Sequence, residues 1–233
     1  MKVLEPGAEP DEWEMVLDIS SQVNHFEDRG LLGLAVDSDF EQNHYVYLLY
    51  TYELRPDIPD SDEPMVSRLE RIELDEDNNV SGRQILLGSY DDQECPTATN
   101  TLDCIPSDGP SHSIGTVRSA PDGPLYVGVG DASEYSGYDQ FAFRVYDEKS
   151  FAGKILHVDR NGNGLPGHPF CPPAGPGPDE LTRVCAKVWA KGFRNPYRFA
   201  LHPDGGLIVG DVGWAVSEEI DLIESGGGNY GWP

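Results

Sequence analysis

Hydrophobic and polar residues alternate along this chain in short runs that glycine, proline, aspartate and asparagine bound. A two-residue period places successive side chains on opposite faces of an extended strand. The runs that predict strands include LLGLAV (31–36), YVYLLYT (45–51), VSRLERIEL (66–74), LYVGVG (125–130), KILHV (154–158), RFALH (198–202) and LIVGDVG (207–213). No segment keeps the 3.6-residue period of an amphipathic helix for several turns. The pattern therefore predicts an all-β chain.

An internal repeat becomes visible when these runs are compared. GLAVDSDFEQNHYVYLLYT, TVRSAPDGPLYVGVGD and FALHPDGGLIVGD each read as a strand, a turn that contains aspartate, and a return strand. The turns begin near Asp37, Pro121 and Pro203, at spacings of 84 and 82 residues, and a further strand follows each hairpin. Repeated antiparallel units of this kind are typical of β-propellers and solenoids. We expect residues 1–233 to form a single, partial β-propeller domain.

The number of repeats is too small for a closed propeller. The chain holds about two full units and most of a third, and an N-terminal strand in WEMVLDI is a candidate for another blade. Propellers close with roughly four to eight blades. We therefore expect the chain to be part of a larger propeller, with closure by a second copy as the alternative.

The charge balance narrows the range of partners. Aspartate and glutamate number 41, lysine and arginine 16, and the net charge is −25 at pH 7. Nucleic acids and anionic membranes require basic surfaces, so neither is an expected partner. No apolar run approaches the roughly 18 residues of a membrane-spanning helix. The sequence predicts an acidic, solvated surface.

Four cysteines form two local pairs, Cys95 with Cys104 and Cys171 with Cys185. None has the CxxC spacing of a zinc site, so we expect two disulfides, with reduced thiols of a cytoplasmic protein as the alternative. Disulfides indicate an extracellular or periplasmic location. The first residues lack the apolar segment of a signal peptide, so an export signal is expected outside this sequence.

His112 and Asp131 lie at the two open ends of the second predicted hairpin. If the turn occupies 121–124, His112 faces Ser133, Asp131 faces Ile114, and the two side chains meet diagonally on one face. Asp131 can then accept a hydrogen bond from one imidazole nitrogen and leave the other free as a base. The alternative is a histidine–aspartate pair that only closes the end of a strand.

Five motifs in one order resemble a known family. They are RGLLGLAVDSDF with NHYVYLLYT, HSIGTVRSAPDGPLYVGVGD, FAGKILHVDRNG, VWAKGFRNPYRF, and GDVGWAVSEEIDLIESGGGNYGWP. Together, from about residue 13 to the end, they resemble the glucose/sorbosone dehydrogenase family, soluble sugar dehydrogenases that use pyrroloquinoline quinone (PQQ). The resemblance implies a six-bladed β-propeller, of which this chain would supply about half.

The resemblance also implies roles for four residues around the cofactor. His112 matches the base that takes the proton of the sugar's anomeric hydroxyl while hydride passes to PQQ, and Asp131 matches the residue that orients it. Arg194 and Asn195, in KGFRNPYRF, match contacts to PQQ. A guanidinium suits a cofactor with three carboxylates because it binds carboxylates in a bidentate way.

Calcium (Ca²⁺) is the second cofactor that the resemblance implies. The backbone carbonyls of Gly213 and Trp214 match the ligands of the calcium ion that anchors the quinone. Glu219 and the Tyr230 carbonyl match ligands of a further, structural calcium ion. Carbonyl and carboxylate oxygens are the ligands that this hard cation prefers.

Several positions depart from the family pattern. Ser113 and Ile114 follow the histidine where many members have Asn-Gly, Arg29 replaces a quinone-binding glutamine of some members, and Val212 replaces a polar residue. The leading hypothesis is a quinoprotein that oxidises a sugar hydroxyl and passes electrons to an external acceptor. A propeller that has lost the cofactor and serves as a binding module is the alternative, and a lactone hydrolase is a third option by fold analogy alone.

Overall fold

A computed structural model of the chain describes residues 1–4, 7–92, 95, 99, 101–133, 141–172 and 180–233. Within these residues the structure is all-β, as predicted: three antiparallel sheets follow one another along the chain after a short two-stranded ribbon. Helix in the described part of the chain consists of the single turns Phe40–Asn43 and Val184–Lys187 and the 3-10 turns Ser20–Gln22, Ala142–Tyr146 and Glu180–Thr182.

The strands group by sheet in chain order. The ribbon consists of β1 (Lys2–Val3) and β2 (Glu14–Met15). The first blade contains β3 (Leu31–Val36), β4 (Tyr45–Tyr52), β5 (Met65–Leu74), β6 (Val80–Leu87) and β7 (Ile105–Ser107), which pairs with β5. The second contains β8 (Ile114–Ser119), β9 (Leu125–Val129), β10 (Lys154–Val158) and β11 (Val188–Lys191). The third contains β12 (Arg198–Leu201), β13 (Leu207–Asp211) and β14 (Glu219–Ile223).

The first strands of the three blades lie next to one another, with β8 in contact with both β3 and β12. Each predicted hairpin opens one sheet, so the repeat in the sequence corresponds to the blades. The close approach depends on glycine: a Cβ atom on Gly115 in β8 would lie 2.4 Å from the Tyr197 carbonyl oxygen. Successive blades around adjacent inner strands form part of a β-propeller.

Two hydrophobic cores fill the spaces between neighbouring blades. One core lies between the first and second sheets and includes Leu49, Val127 and Leu156. The other joins the second sheet to the third and includes Ile155 and Val209. Adjacent residues of β10 enter different cores because side chains of a strand alternate between its two faces. The middle blade is therefore packed on both sides.

The predicted register of the second hairpin is wrong by one residue. Ala120 donates to the Pro124 carbonyl, so the loop contains three residues and not four, with Gly123 in the left-handed region at φ 104°. Ser119 consequently pairs with Leu125, and an irregularity between Ile114 and Val117 shifts the pairing again. Three-residue hairpin loops that end in a glycine produce this shift.

Other differences concern short strands at the edges. The sequence patterns did not predict β1, β6, β7 or β11, which are short or largely exposed. WEMVLDI contributes only the two-residue strand β2, which pairs with β1 and not with a blade. Tertiary pairing determines these strands more than their own alternation does.

Both predicted disulfides are present. Cys95 is bonded to Cys104 and Cys171 to Cys185, with Cα–Cα distances of 5.7 and 5.1 Å. Among the described residues, no helix has the length and apolar character needed to cross a membrane.

Candidate functional site

A cleft of about 390 Å³ opens where the inner strands of the three blades begin. The first blade contributes Arg29, the second contributes His112, and the third contributes Asn195. All four positions that depart from the family pattern line this cleft as well, namely Arg29, Ser113, Ile114 and Val212. The cleft is therefore where the predicted base and the atypical residues meet.

His112 is held in an unusual backbone conformation beside β9. Its φ is 53°, in the left-handed region, and its carbonyl accepts the Ala132 N–H at 2.9 Å. Gly130 passes so close that a Cβ atom there would lie 2.0 Å from the same carbonyl oxygen. Non-glycine residues at positive φ are uncommon and are enriched at functional sites. The glycine of the GD sequence thus permits the turn of backbone that carries the histidine.

The contact between His112 and Asp131 is present although the register differs from the prediction. His112 Nδ1 lies 3.0 Å from Asp131 Oδ1, which also accepts the Ser133 N–H at 3.0 Å. Both side chains are buried. The other ring nitrogen, Nε2, has no hydrogen-bond partner among the described residues, and His112 lines the cleft. One nitrogen is fixed by the carboxylate, and the other is free for a ligand.

The surroundings of Asp131 favour its ionised form. Burial alone would raise the pKa of Asp131, but the hydrogen bond and charge attraction of His112 and the Ser133 N–H outweigh it and lower the pKa. Its carbonyl accepts hydrogen bonds from Arg144 Nε at 3.2 Å and Nη2 at 2.9 Å. Arg144 also forms an ion pair with Asp108. Sequence patterns gave no sign of Arg144, because it comes from the 3-10 turn beyond the hairpin.

Arg194 and Asn195 lie just before β12, and one carboxylate holds their backbone. Asp211 accepts the Arg194 N–H at 3.0 Å and the Asn195 N–H at 2.6 Å. The Asn195 Oδ1 atom is buried without a hydrogen-bond partner among the described residues. Burial raises the pKa of Asp211 to about 6 and lowers the pKa of Arg194. Two hydrogen bonds thus hold the backbone of this turn, and the Asn195 amide oxygen beside the cleft has no partner among the described residues.

The repeat explains why these groups converge. Arg29, His112 and Arg194 precede the first strands of successive blades at spacings of 83 and 82 residues. Asp131 and Asp211 stand at the ends of the second strands of two blades, 80 residues apart. Asp211 was missed in the sequence, but this equivalence to Asp131 was a signal that could have identified it.

The four predicted calcium ligands fall in different surroundings. The Gly213 carbonyl accepts a hydrogen bond from Arg194 Nη1 at 2.8 Å, and the exposed Trp214 side chain lies edge-on to the Trp232 ring. The structure thus brings Arg194 and the loop after β13 together. Tyr230 stacks its ring on Phe193, with centroids 4.6 Å apart.

Glu219 belongs to an acidic cluster that the sequence analysis did not identify as a unit. Its carboxylate and those of Asp211 and Asp221 supply oxygen atoms within 4.8 Å of one another. Asp221 Oδ2 is buried without a hydrogen-bond partner among the described residues. Oxygen-only donor sets of this type suit calcium.

The fold and the cleft define the class of this protein: a β-propeller whose blades place a buried histidine–aspartate pair at one end of the inner strands. The family model for glucose/sorbosone dehydrogenase matches residues 9–233, and the chain belongs to that family. Quinoprotein glucose dehydrogenase B of Acinetobacter calcoaceticus is 26% identical over the whole chain, which covers 46% of that protein. The HIPL1 protein of Arabidopsis thaliana is 35% identical over 52% of the chain and 18% of its own length.

Solved structures support the same fold. The PQQ-bound aldose sugar dehydrogenase of Streptomyces coelicolor aligns with a TM-score of 0.64 at 24% identity, over 95% of this chain and 53% of that one. The apo-form of the soluble aldose sugar dehydrogenase of Escherichia coli aligns with a TM-score of 0.62 at 20% identity, over 91% and 51%. These proteins are β-propellers, and the chain spans about half their length.

Proposed function

We propose that the protein is a PQQ-dependent dehydrogenase that oxidises a hydroxyl of an aldose-type sugar and transfers electrons to an external acceptor. The observation that carries the proposal is the buried contact of His112 with Asp131 at the cleft, with Nε2 left free. The family and the names of the relatives support an oxidoreductase of this type. Because the chain spans about half of these relatives, the activity is proposed for the whole protein.

The proposed chemistry assigns one task to each residue of the pair. Asp131 accepts the Nδ1–H of His112, which fixes the neutral tautomer and orients the ring. His112 Nε2 then takes the proton from the sugar hydroxyl as general base. When bound, PQQ supplies the acceptor for the hydride that leaves the same carbon, so the hydroxyl becomes a carbonyl. The Asp131 carboxylate stabilises the imidazolium that results.

The cleft also offers groups that fit an anionic cofactor. Arg29 and Asn195 line the cleft, and each has a buried side-chain atom without a hydrogen-bond partner among the described residues. Arg29 Nε–H can donate to an anionic oxygen, whereas Asn195 Oδ1 can only accept from an N–H or O–H group. Buried polar atoms of this kind are rare in folded proteins unless a ligand or water completes them. Arg194 adds a guanidinium at the third blade. Arg194 and Asn195 are the proposed PQQ contacts.

Calcium is proposed at the loop that follows β13. The Gly213 and Trp214 carbonyls remain the proposed ligands of an ion beside the cofactor, and Glu219 and the Tyr230 carbonyl those of a second ion. Asp211 and Asp221, which lie with Glu219, extend the set of oxygen donors. A divalent cation would offset the charge of this acidic cluster.

The two disulfides support an extracellular or periplasmic location. Bonded cysteines persist in oxidising compartments and are rare in the cytosol. Cys95–Cys104 and Cys171–Cys185 account for all four cysteines.

Loss of the base tests the proposal. In the whole protein loaded with PQQ and calcium, His112→Ala should lower the rate of dye-coupled sugar oxidation by roughly 100- to 10,000-fold. The control is His25→Ala, which removes an exposed imidazole that pairs with Asp60. Retention of activity in His112→Ala would contradict the assignment of the base.

A binding module without cofactor is the second candidate, and Arg29 favours it. Its Nη1 donates to the Ser61 carbonyl at 3.0 Å, and its Nη2 donates to those of Ser107 at 2.9 Å and Gly109 at 3.1 Å. Those terminal nitrogens tie loops together and are not free for a ligand. Wild-type protein that neither binds PQQ nor oxidises sugars would support this candidate.

A further inference from the structure

A tryptophan in the segment that follows β14 reaches the carboxylate of the second blade. Trp232 Nε1 donates a hydrogen bond to Asp131 Oδ2 at 2.8 Å, although the two residues are 101 positions apart. Trp232 is partly buried, whereas Asp131 is fully buried. A hydrogen bond to an ionised acceptor in a buried setting is among the stronger kinds.

The indole adds a donor on the second oxygen of the Asp131 carboxylate. Oδ1 receives His112 Nδ1 and the Ser133 N–H, the Ser133 side chain is a further hydrogen-bond partner of the carboxylate, and the Trp232 indole donates to Oδ2. The χ2 torsion of aspartate is broad, so a carboxylate held at one oxygen can rotate. A donor on the second oxygen fixes the plane of the Asp131 carboxylate. It thereby also fixes the orientation of the oxygen that binds His112.

The same ring also contacts the proposed cofactor arginine. The Arg194 guanidinium carbon lies 5.3 Å from the centroid of the Trp232 ring, within the range of a cation–π interaction. The Trp214 ring also packs edge-on against the Trp232 ring, with centroids 6.2 Å apart. Trp232 therefore connects the histidine–aspartate pair of one blade to the arginine of the next.

We propose that Trp232 is a positioning residue: its indole N–H fixes the Asp131 carboxylate in the orientation that holds His112 as a base. The inference rests on the proposed function, because that function gives His112 its role as a base. The hydrogen bond between Trp232 and Asp131 can be tested independently of that function. Its test therefore has one arm that needs no activity.

The first arm is nuclear magnetic resonance of the ligand-free chain with 15N-labelled tryptophan, which has four indole signals. The Trp232 indole proton should exchange slowly with solvent, and its signal should shift in Asp131→Asn. The Trp13 indole serves as internal control, since it lies on the distant N-terminal ribbon beneath Lys2. The proposal would be overturned if the Trp232 indole proton exchanged as fast as that of Trp13 and its signal did not shift in Asp131→Asn.

The first arm also follows the Asp131 carboxyl group. In Trp232→Phe the pKa of Asp131 should rise, because the anion loses a donor. Carboxyl 13C signals followed against pH would report this change, with Trp13→Phe as the matched control that leaves it in place. An unchanged Asp131 titration in Trp232→Phe would count against the proposal.

The second arm uses the whole protein with PQQ and calcium. Trp232→Phe should lower kcat by roughly 10- to 100-fold through misplacement of the base, with KM nearly unchanged. The double variant Trp232→Phe/Asp131→Asn should be no slower than Asp131→Asn alone, because both changes disrupt the same positioning of His112 by Asp131. Additive losses would contradict the positioning role. If His112→Ala retains activity while the indole contact is found, the proposed function fails and the contact remains.

Discussion

At the scale of single residues, Asp37 connects the first blade to the second. Its buried carboxylate forms a two-pronged ion pair with Arg160, at 2.9 Å from both Nε and Nη2. Burial alone would raise the pKa of Asp37, but hydrogen bonds from Arg160, Tyr47 and Asn43 outweigh it and lower the pKa to about 2. The hairpin turn that defines the repeat is thus also a tie between blades.

The lowered pKa of Asp37 predicts that part of the free energy of unfolding depends on pH in the acid range. An unfolded aspartate has a pKa of about 3.9, so the folded state binds this proton less tightly. The stabilisation, about 2 kcal/mol, is complete above about pH 5 and is lost as the pH falls toward 2. Urea unfolding from pH 7 to pH 3 should show that Asp37→Asn destabilises the chain at neutral pH and that its difference from wild type shrinks in acid.

The matched control is Asp39→Asn. Asp39 contacts the same arginine at 2.6 Å, but half of its side chain is exposed. Exposed ion pairs contribute about 1 kcal/mol or less. Equal losses in the two variants, or a loss in Asp37→Asn that does not depend on pH, would contradict this interpretation of the Asp37–Arg160 pair.

Individual site residues differ in how far they could be predicted. His112 and Asp131 belong to one hairpin, so their contact follows from local geometry and survives a register error of one residue. Trp232 contacts the Asp131 side chain from the segment after β14, and Arg144 contacts the Asp131 carbonyl from a turn beyond the hairpin. The alternation of hydrophobic and polar residues does not predict such contacts, since they depend on how blades and loops pack.

At the scale of elements, the inner strands depend on small residues where blades touch. Gly115 of β8 lies against the backbone of Tyr197, just before β12, and a Cβ atom there would be 2.4 Å from the Tyr197 oxygen and 2.8 Å from its Cα. The neighbouring Thr116 hydroxyl donates to the same oxygen at 3.0 Å. Because these are backbone atoms, a side chain can be accommodated only if the two blades separate.

Gly115→Ala should therefore lower the free energy of unfolding by roughly 1–3 kcal/mol through overpacking. Gly210→Ala is the control on β13, where the nearest atom to a new Cβ is the Arg198 oxygen at 3.5 Å, an ordinary contact. Urea titrations of both variants against wild type would measure the difference. A Gly115→Ala variant as stable as Gly210→Ala would contradict the proposed close packing of β8 and β12.

Strands were more predictable than their pairing. The alternating pattern located the hairpin strands of all three blades within a residue or two of their observed ends. The register depends on the loop, and the pattern does not show that Ala120 bonds to Pro124 across three residues. Edge strands such as β7 are too short to show alternation, so only the completed sheet reveals them.

At the scale of the whole molecule, the three blades share two continuous cores, and we propose that they form one domain within a larger propeller. The first and last blades expose apolar side chains, including Leu34 and Val36 on β3 and Ile220 on β14, which is 82% exposed. In a closed propeller, each blade packs against two neighbours. The site likewise depends on neighbouring blades, because each of three blades contributes residues to one cleft.

We propose above all that this cleft binds PQQ with the help of calcium. We would measure it first by calorimetric titration of PQQ into the calcium-loaded whole protein, repeated with EDTA and in Arg194→Ala. Arg118→Ala, which removes an exposed arginine of β8, is the control. We expect saturable binding that EDTA abolishes, Arg194→Ala weakens and Arg118→Ala leaves unchanged. Absence of saturable binding, or binding that is indifferent to EDTA and to Arg194, would contradict it.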